Sequence, residues 1–418
     1  MNPTLLHADG LISGDGASLR DGAALVSGDG EVLEVGEAAG LLPRHAGARI
    51  ERVRGVVFPG LVNAHTHVEL SALRGSVPAG RGFLAWLDAF VGRRTEVDDE
   101  DERAGIEQAV LELDAFMTAA VGDVSNRLTA VHALARRGIG GSVFHEVFGI
   151  AEEPLRAAVL GLPAMRERVV GAWPTRDLAY AAAPHTLYTT HASVVREIVE
   201  TARREGKVTS LHLAEHPAER TALETGDGPI VDWLATRTRL ARDAMRWPHL
   251  GPIAQADALG ALGSHVLSVH VTDARPDEIA TLAARQARVV LCPRSNLTIE
   301  VKLPPLPALR AAGLEPALGT DSLASNASLD VLAEARALLD RFPAVPAREL
   351  VQMATWNGAR ALGRTDLGRI TRGARPGIGA IDGDLGSEDP SAFLLRNVKA
   401  PRRWVIRRSV APQAEVAS

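Results

Sequence analysis

The chain has 418 residues, of which 46% are hydrophobic, so it is long enough for a barrel domain with a smaller second domain. Its formal net charge of −5 argues against a nucleic acid as the main partner. The first residues lack the basic and long apolar segments of a signal peptide, and no apolar stretch is long enough to cross a bilayer. Because the single cysteine, Cys292, excludes an internal disulfide, we expect a cytoplasmic protein without a membrane partner.

Residues 1–58 contain short alternating apolar runs separated by Gly-Asp-Gly turns, which is typical of β-hairpins. From 59 to 367, apolar strand-like runs alternate with longer stretches rich in Ala, Leu and Arg. The predicted strands there are 59–66, 119–124, 141–147, 168–173 or 179–184, 208–213, 265–271, 288–292 and 315–320. The predicted helices include 103–118, 127–137, 191–205, 276–285, 328–341 and 347–362. This alternation indicates an α/β protein with a parallel (β/α)8 TIM barrel, and 368–418 returns to short strands and Gly-rich turns.

Histidines and an aspartate follow the ends of several predicted strands. His65 and His67 end the first strand, and residues i and i+2 of a strand point to the same face, so both imidazoles can reach one metal ion. His212, His270 and Asp321 each lie at or just after the end of a later strand. The carboxyl ends of barrel strands line the active site, so these side chains are expected to meet there. Three neutral imidazoles and one carboxylate suit Zn²⁺ or Fe²⁺ with a water ligand; the spacing leaves open whether His270 is a ligand or a base.

Two features flank this cluster. Glu215 lies three residues after His212, where a carboxyl group in a dry pocket has a raised pKa and can act as a proton donor. The adjacent His216 is expected to face away. The segment 76–95, after the first strand, is either a lid over the site or an ordinary loop, and the sequence leaves both alternatives open.

Four sequence blocks together resemble the amidohydrolase superfamily, in its cytosine deaminase-like and chlorohydrolase-like branch. The blocks are Pro-Gly-Leu-Val-Asn-Ala-His-Thr-His at 59–67, His-Leu-Ala-Glu at 212–215, Gly-Thr-Asp at 319–321 and Ala-Thr-Trp-Asn-Gly-Ala-Arg-Ala-Leu-Gly at 354–363. The resemblance covers nearly the whole chain and implies that a metal is bound by His65, His67, His212 and Asp321. It also implies proton transfer by Glu215 and His270, together with Asp321. A small β-sandwich domain, formed by 1–58 together with 368–418, would lie beside a catalytic barrel of 59–367.

The lysine positions bear on the number of metal ions. Two-metal members of this superfamily commonly bridge the ions with a carboxylated lysine on the fourth strand. The chain has no lysine between His67 and Lys207, and Lys207 precedes the fifth strand. We therefore expect one divalent metal per subunit, Zn²⁺ or alternatively Fe²⁺, with a bridging role for Glu146 as an open alternative.

Within the branch, Glu69-Leu70, Phe144 to Gly149 and Cys292 to Asn296 resemble the bacterial aminodeoxyfutalosine deaminases of the menaquinone futalosine pathway. This implies hydrolysis of the 6-amino group of 6-aminodeoxyfutalosine, an adenine nucleoside with an aromatic carboxylate arm, with release of ammonia. The expected substrate contacts are Glu69, Glu146, His185, Arg294, Ser295 and Asn296, with Arg74 or Arg81 near the carboxylate arm.

Other activities of the same superfamily stay open. They are deamination of guanine, cytosine or S-adenosylhomocysteine, and hydrolysis of an s-triazine. A catalytically inactive binding protein is disfavoured because all four ligands are present together with Glu215 and His270. The expected partner is a small-molecule nucleoside; a homodimer is one alternative for the assembly.

Overall fold

A computed structural model describes residues 3–240, 242, 245 and 247–408. The predicted tail residues 409–418 therefore lie outside the described residues. The strands are β1 (Thr4–Ile12), β2 (Ser18–Val26), β3 (Val32–Glu37), β4 (Arg49–Pro59), β5 (Leu61–Thr66), β6 (Thr118–Ser125), β7 (Gly140–Val147), β8 (Leu178–Pro184), β9 (Thr209–Leu213), β10 (Val266–His270), β11 (Arg288–Leu291), β12 (Ala317–Leu318), β13 (Ile378–Asp382) and β14 (Arg402–Ile406).

Helices connect most of these strands, and a 3₁₀ helix (Val68–Leu73) follows β5. The α-helices are α1 (Ala38–Arg44), α2 (Phe83–Arg94), α3 (Asp99–Ala115), α4 (Val131–Arg137), α5 (Glu152–Val170), α6 (Ala192–Arg204), α7 (Pro217–Thr225), α8 (Pro229–Thr238), α9 (Pro252–Ala258), α10 (Pro276–Ala284), α11 (Pro293–Ile299), α12 (Leu306–Ala311), α13 (Val331–Arg341), α14 (Ala347–Met353), α15 (Trp356–Ala361) and α16 (Pro390–Arg396). No helix of the described ranges is both long enough and apolar enough to cross a bilayer.

Both ends of the chain contribute to one six-stranded sheet with the order β14-β13-β4-β1-β2-β3. β1 runs parallel to β4, and β13 pairs antiparallel with β4, with Gly379 opposite Phe58. This pairing of head and tail is consistent with the small β domain that the resemblance implied. The described strands of the two termini belong to this single sheet, and the sandwich arrangement stays a prediction.

The central part of the chain forms two four-stranded parallel sheets, β5-β6-β7-β8 and β9-β10-β11-β12. Residues of β5, β6, β7, β9 and β10 are buried throughout, as expected for parallel strands with both faces covered. Parallel bridges also join the outer edges of the two sheets, from Thr66 to Asp321 and from Thr186 to His212. The predicted α/β fold with parallel strands is therefore confirmed.

Several predicted element boundaries were wrong. Of the two alternatives for the fourth strand, the one near 179–184 corresponds to β8, and 168–170 instead belongs to α5. The predicted helix 347–362 is divided into α14 and α15, because Thr355 between them turns its hydroxyl onto the carbonyl oxygens of Val351 and Gly14. Helices α2, α7 and α8 were not predicted, although they surround the site described below.

Candidate active site

Three imidazoles and one carboxylate converge beyond the ends of β5 and β9. Ring nitrogens of His65, His67 and His212 lie within 4.8 Å of one another, and the Nε2 atoms of His67 and His212 are 3.4 Å apart. Oδ1 of Asp321 lies 3.7 Å from Nε2 of His65 and 3.5 Å from Nε2 of His67. The structure therefore brings together all four residues predicted to bind the metal.

The chemistry of these four residues fits a divalent cation. Both ring nitrogens of His65 are buried without a hydrogen-bond partner among the described residues. Unsatisfied buried polar atoms carry a desolvation cost, which a bound metal ion would offset. Burial lowers the pKa of His67 well below its ordinary value and that of His212 to about 4, so both rings are neutral and keep a lone pair. Neutral imidazoles with one carboxylate form a donor set that Zn²⁺ and Fe²⁺ accept.

Further hydrogen bonds orient the cluster. Nδ1 of His212 donates to the carbonyl oxygen of His185 at 3.0 Å, which directs the Nε2 lone pair toward His65 and His67. The hydroxyls of Ser295 and Ser325 donate to Oδ2 of Asp321 at 2.6 and 2.7 Å, which leaves Oδ1 for the imidazoles. Although burial opposes ionisation, the imidazoles of His65 and His67 beside Oδ1 hold the pKa of Asp321 well below its ordinary range.

Glu215 and His270 form a second polar pair next to the imidazoles. Oε1 of Glu215 lies 3.7 Å from Nε2 of His270, and the Asn296 amide donates to Nδ1 of His270 at 3.2 Å. Burial, followed by the negative charge of Asp321, raises the pKa of Glu215 well above its ordinary value. Burial likewise lowers the pKa of His270. Burial therefore shifts both groups toward their neutral forms, a carboxylic acid facing an imidazole.

Three strand ends at this site have left-handed backbone conformations that L-residues rarely adopt. The φ angles are +49° at Ala214, +73° at His270 and +56° at Asp321. Each such residue costs on the order of 1–3 kcal/mol, and conformations of this kind concentrate at functional sites. These backbone conformations turn the chain sharply at the positions where the polar side chains meet.

A cavity of about 320 Å³, within the size range of ligand pockets, opens above the cluster. Its floor consists of His67, His212, Glu215, His270 and Asp321. Its outer wall comes from one face of α2, with Phe83, Trp86, Leu87, Phe90, Val91 and Arg94, and from one face of α8, with Trp233, Leu234, Arg237 and Thr238. The spacing of the α2 residues at i, i+3, i+4, i+7, i+8 and i+11 is a helical signal in the sequence, although this helix was not predicted.

Two of the predicted substrate contacts, Glu146 and His185, line this cavity. Oε1 of Glu146 lies 3.6 Å from Nδ1 of His212, and Oε2 accepts a hydrogen bond from the Asn126 amide. Nδ1 of His185 is 2.8 Å from the hydroxyl of Thr189. Both side chains are therefore available to a bound molecule next to the imidazoles.

The other four predicted substrate contacts do not line the cavity, as far as the described residues show. Glu69 is buried and accepts hydrogen bonds from the backbone of Asn126 and Arg127. The Arg294 guanidinium donates to the hydroxyl of Ser328. Ser295 and Asn296 contact Asp321 and His270. These contacts favour positioning roles, and direct substrate contact for the four residues stays a prediction.

Other residues near the site had little or no sequence signal. Glu219 accepts hydrogen bonds from the backbone of Ala214 and Glu215, at 3.1 and 2.8 Å, and so holds the loop that carries Glu215. His216 is fully buried and stacks on Phe83 with ring centres 3.5 Å apart. It does not line the cavity, as expected from its position in the sequence.

The arginines proposed for the carboxylate arm are not at the cavity. Arg74 is paired with Glu112 instead, and Arg81 is likewise absent from the described lining. The lining arginines are Arg94 and Arg237, at the ends of α2 and α8. Their position depends on how the two helices pack, which a single sequence does not reveal.

The parallel α/β fold and the imidazole-carboxylate cluster at its strand ends define a metal-dependent hydrolase. The model of the amidohydrolase family matches residues 56–401, so the chain belongs to the amidohydrolase family. It is 32% identical over 374 residues to the aminodeoxyfutalosine deaminase of Deinococcus radiodurans, covering 86% of this chain and 85% of that protein. It is also 33% identical over 398 residues to the 5-methylthioadenosine/S-adenosylhomocysteine deaminase of Halobacterium salinarum, covering 92% and 85%.

Solved structures support the fold. Helicobacter pylori aminofutalosine deaminase in complex with methylthio-coformycin has a TM-score of 0.85 and 22% identity, covering 96% of this chain and 98% of that one. An adenosine deaminase from Xanthomonas campestris with bound zinc has a TM-score of 0.75 and 24% identity, covering 95% and 89%. At these identities the comparison establishes the shared fold.

Proposed function

We propose that the protein hydrolyses the 6-amino group of an adenine nucleoside to a 6-oxo group and releases ammonia, with 6-aminodeoxyfutalosine as its substrate. The observation that carries this proposal is the floor of the cavity, where Glu215 and His270, 3.7 Å apart, adjoin the imidazole cluster. The deaminase from D. radiodurans supports the choice of substrate.

The metal of this reaction is one divalent ion per subunit, bound by His65, His67, His212 and Asp321. Zn²⁺ is the first choice because a similar solved structure contains zinc, and Fe²⁺ is the alternative. When bound at such a site, a divalent ion lowers the pKa of water from about 16 to near 7 and so supplies hydroxide at neutral pH.

Side chains of the protein donate and accept the protons of this reaction. Glu215 donates its proton to N1 of the purine as C6 becomes tetrahedral, which its raised pKa favours. Of the two protons of the attacking water, one passes through Asp321 and His270 to the departing amine, and the other restores the carboxyl group of Glu215 as the 6-oxo group forms. Water and the amino compound are consumed, and the 6-oxo compound and ammonia are formed.

We also propose how the two parallel sheets and the terminal strands are arranged into domains around the site. The two parallel sheets close into one (β/α)8 barrel over 59–367, which the bridges at both outer edges support. Residues 1–58 with 368–418 form a separate β domain, which the sheet shared by β4 and β13 supports.

A second candidate is deamination of 5′-methylthioadenosine or S-adenosylhomocysteine, which the relative from H. salinarum supports. The test is ammonia release by the zinc-loaded protein from aminodeoxyfutalosine, both second candidates, adenosine, guanine, cytosine and an s-triazine. The highest kcat/KM is expected for aminodeoxyfutalosine. Turnover of guanine, cytosine or the triazine alone, with no adenine nucleoside accepted, would overturn the proposal.

A further inference from the structure

We infer that Arg237 is a specificity-determining residue that binds an anionic group at the end of the substrate's 5′ arm. The inference rests on the proposed function, because it assumes that the adenine ring occupies the floor of the cavity. It assigns the substrate class as adenine nucleosides whose 5′ arm is apolar or aromatic and ends in a carboxylate without an ammonium group.

The outer wall suits an apolar arm. The cavity-facing residues of α2 are aromatic or aliphatic from Phe83 to Val91, and α8 adds Trp233 and Leu234. Aromatic side chains of this kind bind flat apolar groups through large contact areas. Each of the two helix faces carries a single arginine, Arg94 on α2 and Arg237 on α8.

The two arginines have different partners. Arg94 donates to Oδ1 of Asn126 at 3.0 Å, and Asn126 donates to Glu146, which lies 3.6 Å from His212. Arg94 is thus linked to the floor through its partners, and its side chain is 35% exposed. The Arg237 side chain is 46% exposed, whereas no floor side chain exceeds 12%. Arg237 therefore marks the outer end of the cavity, where the arm of a bound nucleoside would end.

Charge on the described lining favours an anion over a zwitterion at this outer end. The carboxylates of the described lining are Glu146, Glu215 and Asp321, and each lies at or next to the floor. An ammonium group on the arm would therefore meet a guanidinium whose neighbouring carboxylate, Asp88, lies outside the described lining and already accepts hydrogen bonds from Arg237 and Trp233. This arrangement penalises an amino acid arm and favours a simple carboxylate.

The guanidinium of Arg237 is held in place but keeps donors for a ligand. Its Nη2 donates to Oδ1 of Asp88 at 3.2 Å, and the same oxygen accepts from Nε1 of Trp233 at 2.7 Å. Its central carbon lies 5.4 Å from the centre of the Trp233 ring. The other guanidinium nitrogens have no hydrogen-bond partner among the described residues, so they can form the forked contact that a carboxylate prefers.

Steady-state kinetics of the zinc-loaded protein test this assignment. The substrates are aminodeoxyfutalosine with a carboxylate arm, 5′-methylthioadenosine with a neutral arm and S-adenosylhomocysteine with both charges. In Arg237→Gln the KM for aminodeoxyfutalosine is expected to rise about 10-fold or more, as for loss of a charge-assisted hydrogen bond, with kcat little changed. The KM for 5′-methylthioadenosine is expected to stay within about 2-fold, and Arg237→Lys should restore part of the carboxylate preference.

Arg93→Gln is the matched control, because Arg93 is exposed, pairs with Glu96 and is not part of the described lining. It removes the same charge and should leave all three KM values unchanged. Equal effects of Arg237→Gln on neutral and carboxylate arms, or an equal effect of Arg93→Gln, would overturn the inference. So would a wild-type enzyme that treats the two arms alike, although the proposed function would then stand. Failure of every adenine nucleoside would instead reject the proposed function, and this inference with it.

Discussion

Nε2 of His270 lies 3.7 Å from Oε1 of Glu215, and both groups are almost completely buried. Burial has opposite effects on the two, since it raises the pKa of the carboxyl group and lowers that of the imidazole. The contact therefore joins an acid and a base that burial shifts toward their neutral forms. Such a pair can donate a proton from the carboxyl group to N1 of the purine and accept one at the imidazole, as the proposed reaction requires.

Replacing Glu215 by glutamine removes the transferable proton but keeps the size of the side chain. We expect kcat to fall by roughly 10²-fold or more, the usual scale for a general acid, with metal content unchanged. Asp321→Asn is the contrasting variant, because it should abolish turnover and also lower metal occupancy. Kinetics and elemental analysis of the same preparations separate the two roles. A near-normal kcat in Glu215→Gln would rule out proton donation by this residue.

Removing the metal should lower both the activity and the thermal stability of the protein. Chelation is expected to abolish ammonia release and to lower the melting temperature, because the buried ring nitrogens of His65 would again lack partners. Adding one equivalent of Zn²⁺ per subunit should restore both. His65→Asn serves as a comparison, since its melting temperature should respond little to the chelator. Full activity in metal-free protein would contradict the assignment of the cluster.

The convergence of the proposed metal ligands could be predicted from the sequence because the geometry of each residue is local to its strand. His65 and His67 share a face by strand periodicity, and His212 and Asp321 follow strand ends that a parallel barrel brings together. Head-to-tail pairing of the terminal strands was inferred from a resemblance alone, because the partners β4 and β13 are separated by more than 300 residues of sequence, from Pro59 to Ile378.

The cavity wall was much less predictable. Ser295 and Asn296 lie on α11 directly after β11, and the rotation of this short helix directs them to Asp321 and His270 rather than into the cavity. Arg237 enters the cavity because α8 packs across from α2. The directions in which these side chains point depend on how the helices pack. Neither residue spacing nor motif composition in a single sequence predicts that packing.

The stack between Phe83 and His216 is expected to hold α2 over the cavity. Aromatic pairs of this kind contribute about 0.5–1.5 kcal/mol beyond burial. Phe83→Leu should therefore raise KM about 2- to 10-fold, with a smaller change in kcat. His216→Asn removes the stack but retains an N-cap for α7, where Nδ1 of His216 accepts from the backbone of Glu219 at 3.1 Å.

The double variant distinguishes the stack from a direct substrate contact, since Phe83 lines the cavity and His216 does not. If the stack is the cause, the double variant should raise KM no more than the larger single effect. Additive effects on KM would show that the two residues act independently.

Glu334 is expected to make the stability of the fold depend on pH. Its carboxylate is fully buried and accepts hydrogen bonds from the Asn326 amide and the Arg294 backbone, both at 2.8 Å. Burial raises its pKa from 4.5 to about 7. Between these values the folded protein keeps a proton that the unfolded chain has released, so the free energy of unfolding falls as pH rises from about 4.5 to 7 and then levels off.

Urea unfolding at pH 5 and pH 8 measures this contribution. In the wild type, Glu334 should account for a difference on the order of 2 kcal/mol between the two conditions, and Glu334→Gln should reduce that difference because glutamine does not titrate. Glu315→Gln, at an exposed glutamate paired with Arg360, is the matched control. Because the comparison uses the difference between two pH values, a uniform loss of stability in the glutamine variant does not affect it. An unchanged difference in Glu334→Gln would mean that other buried groups, such as Glu219, cause the pH dependence.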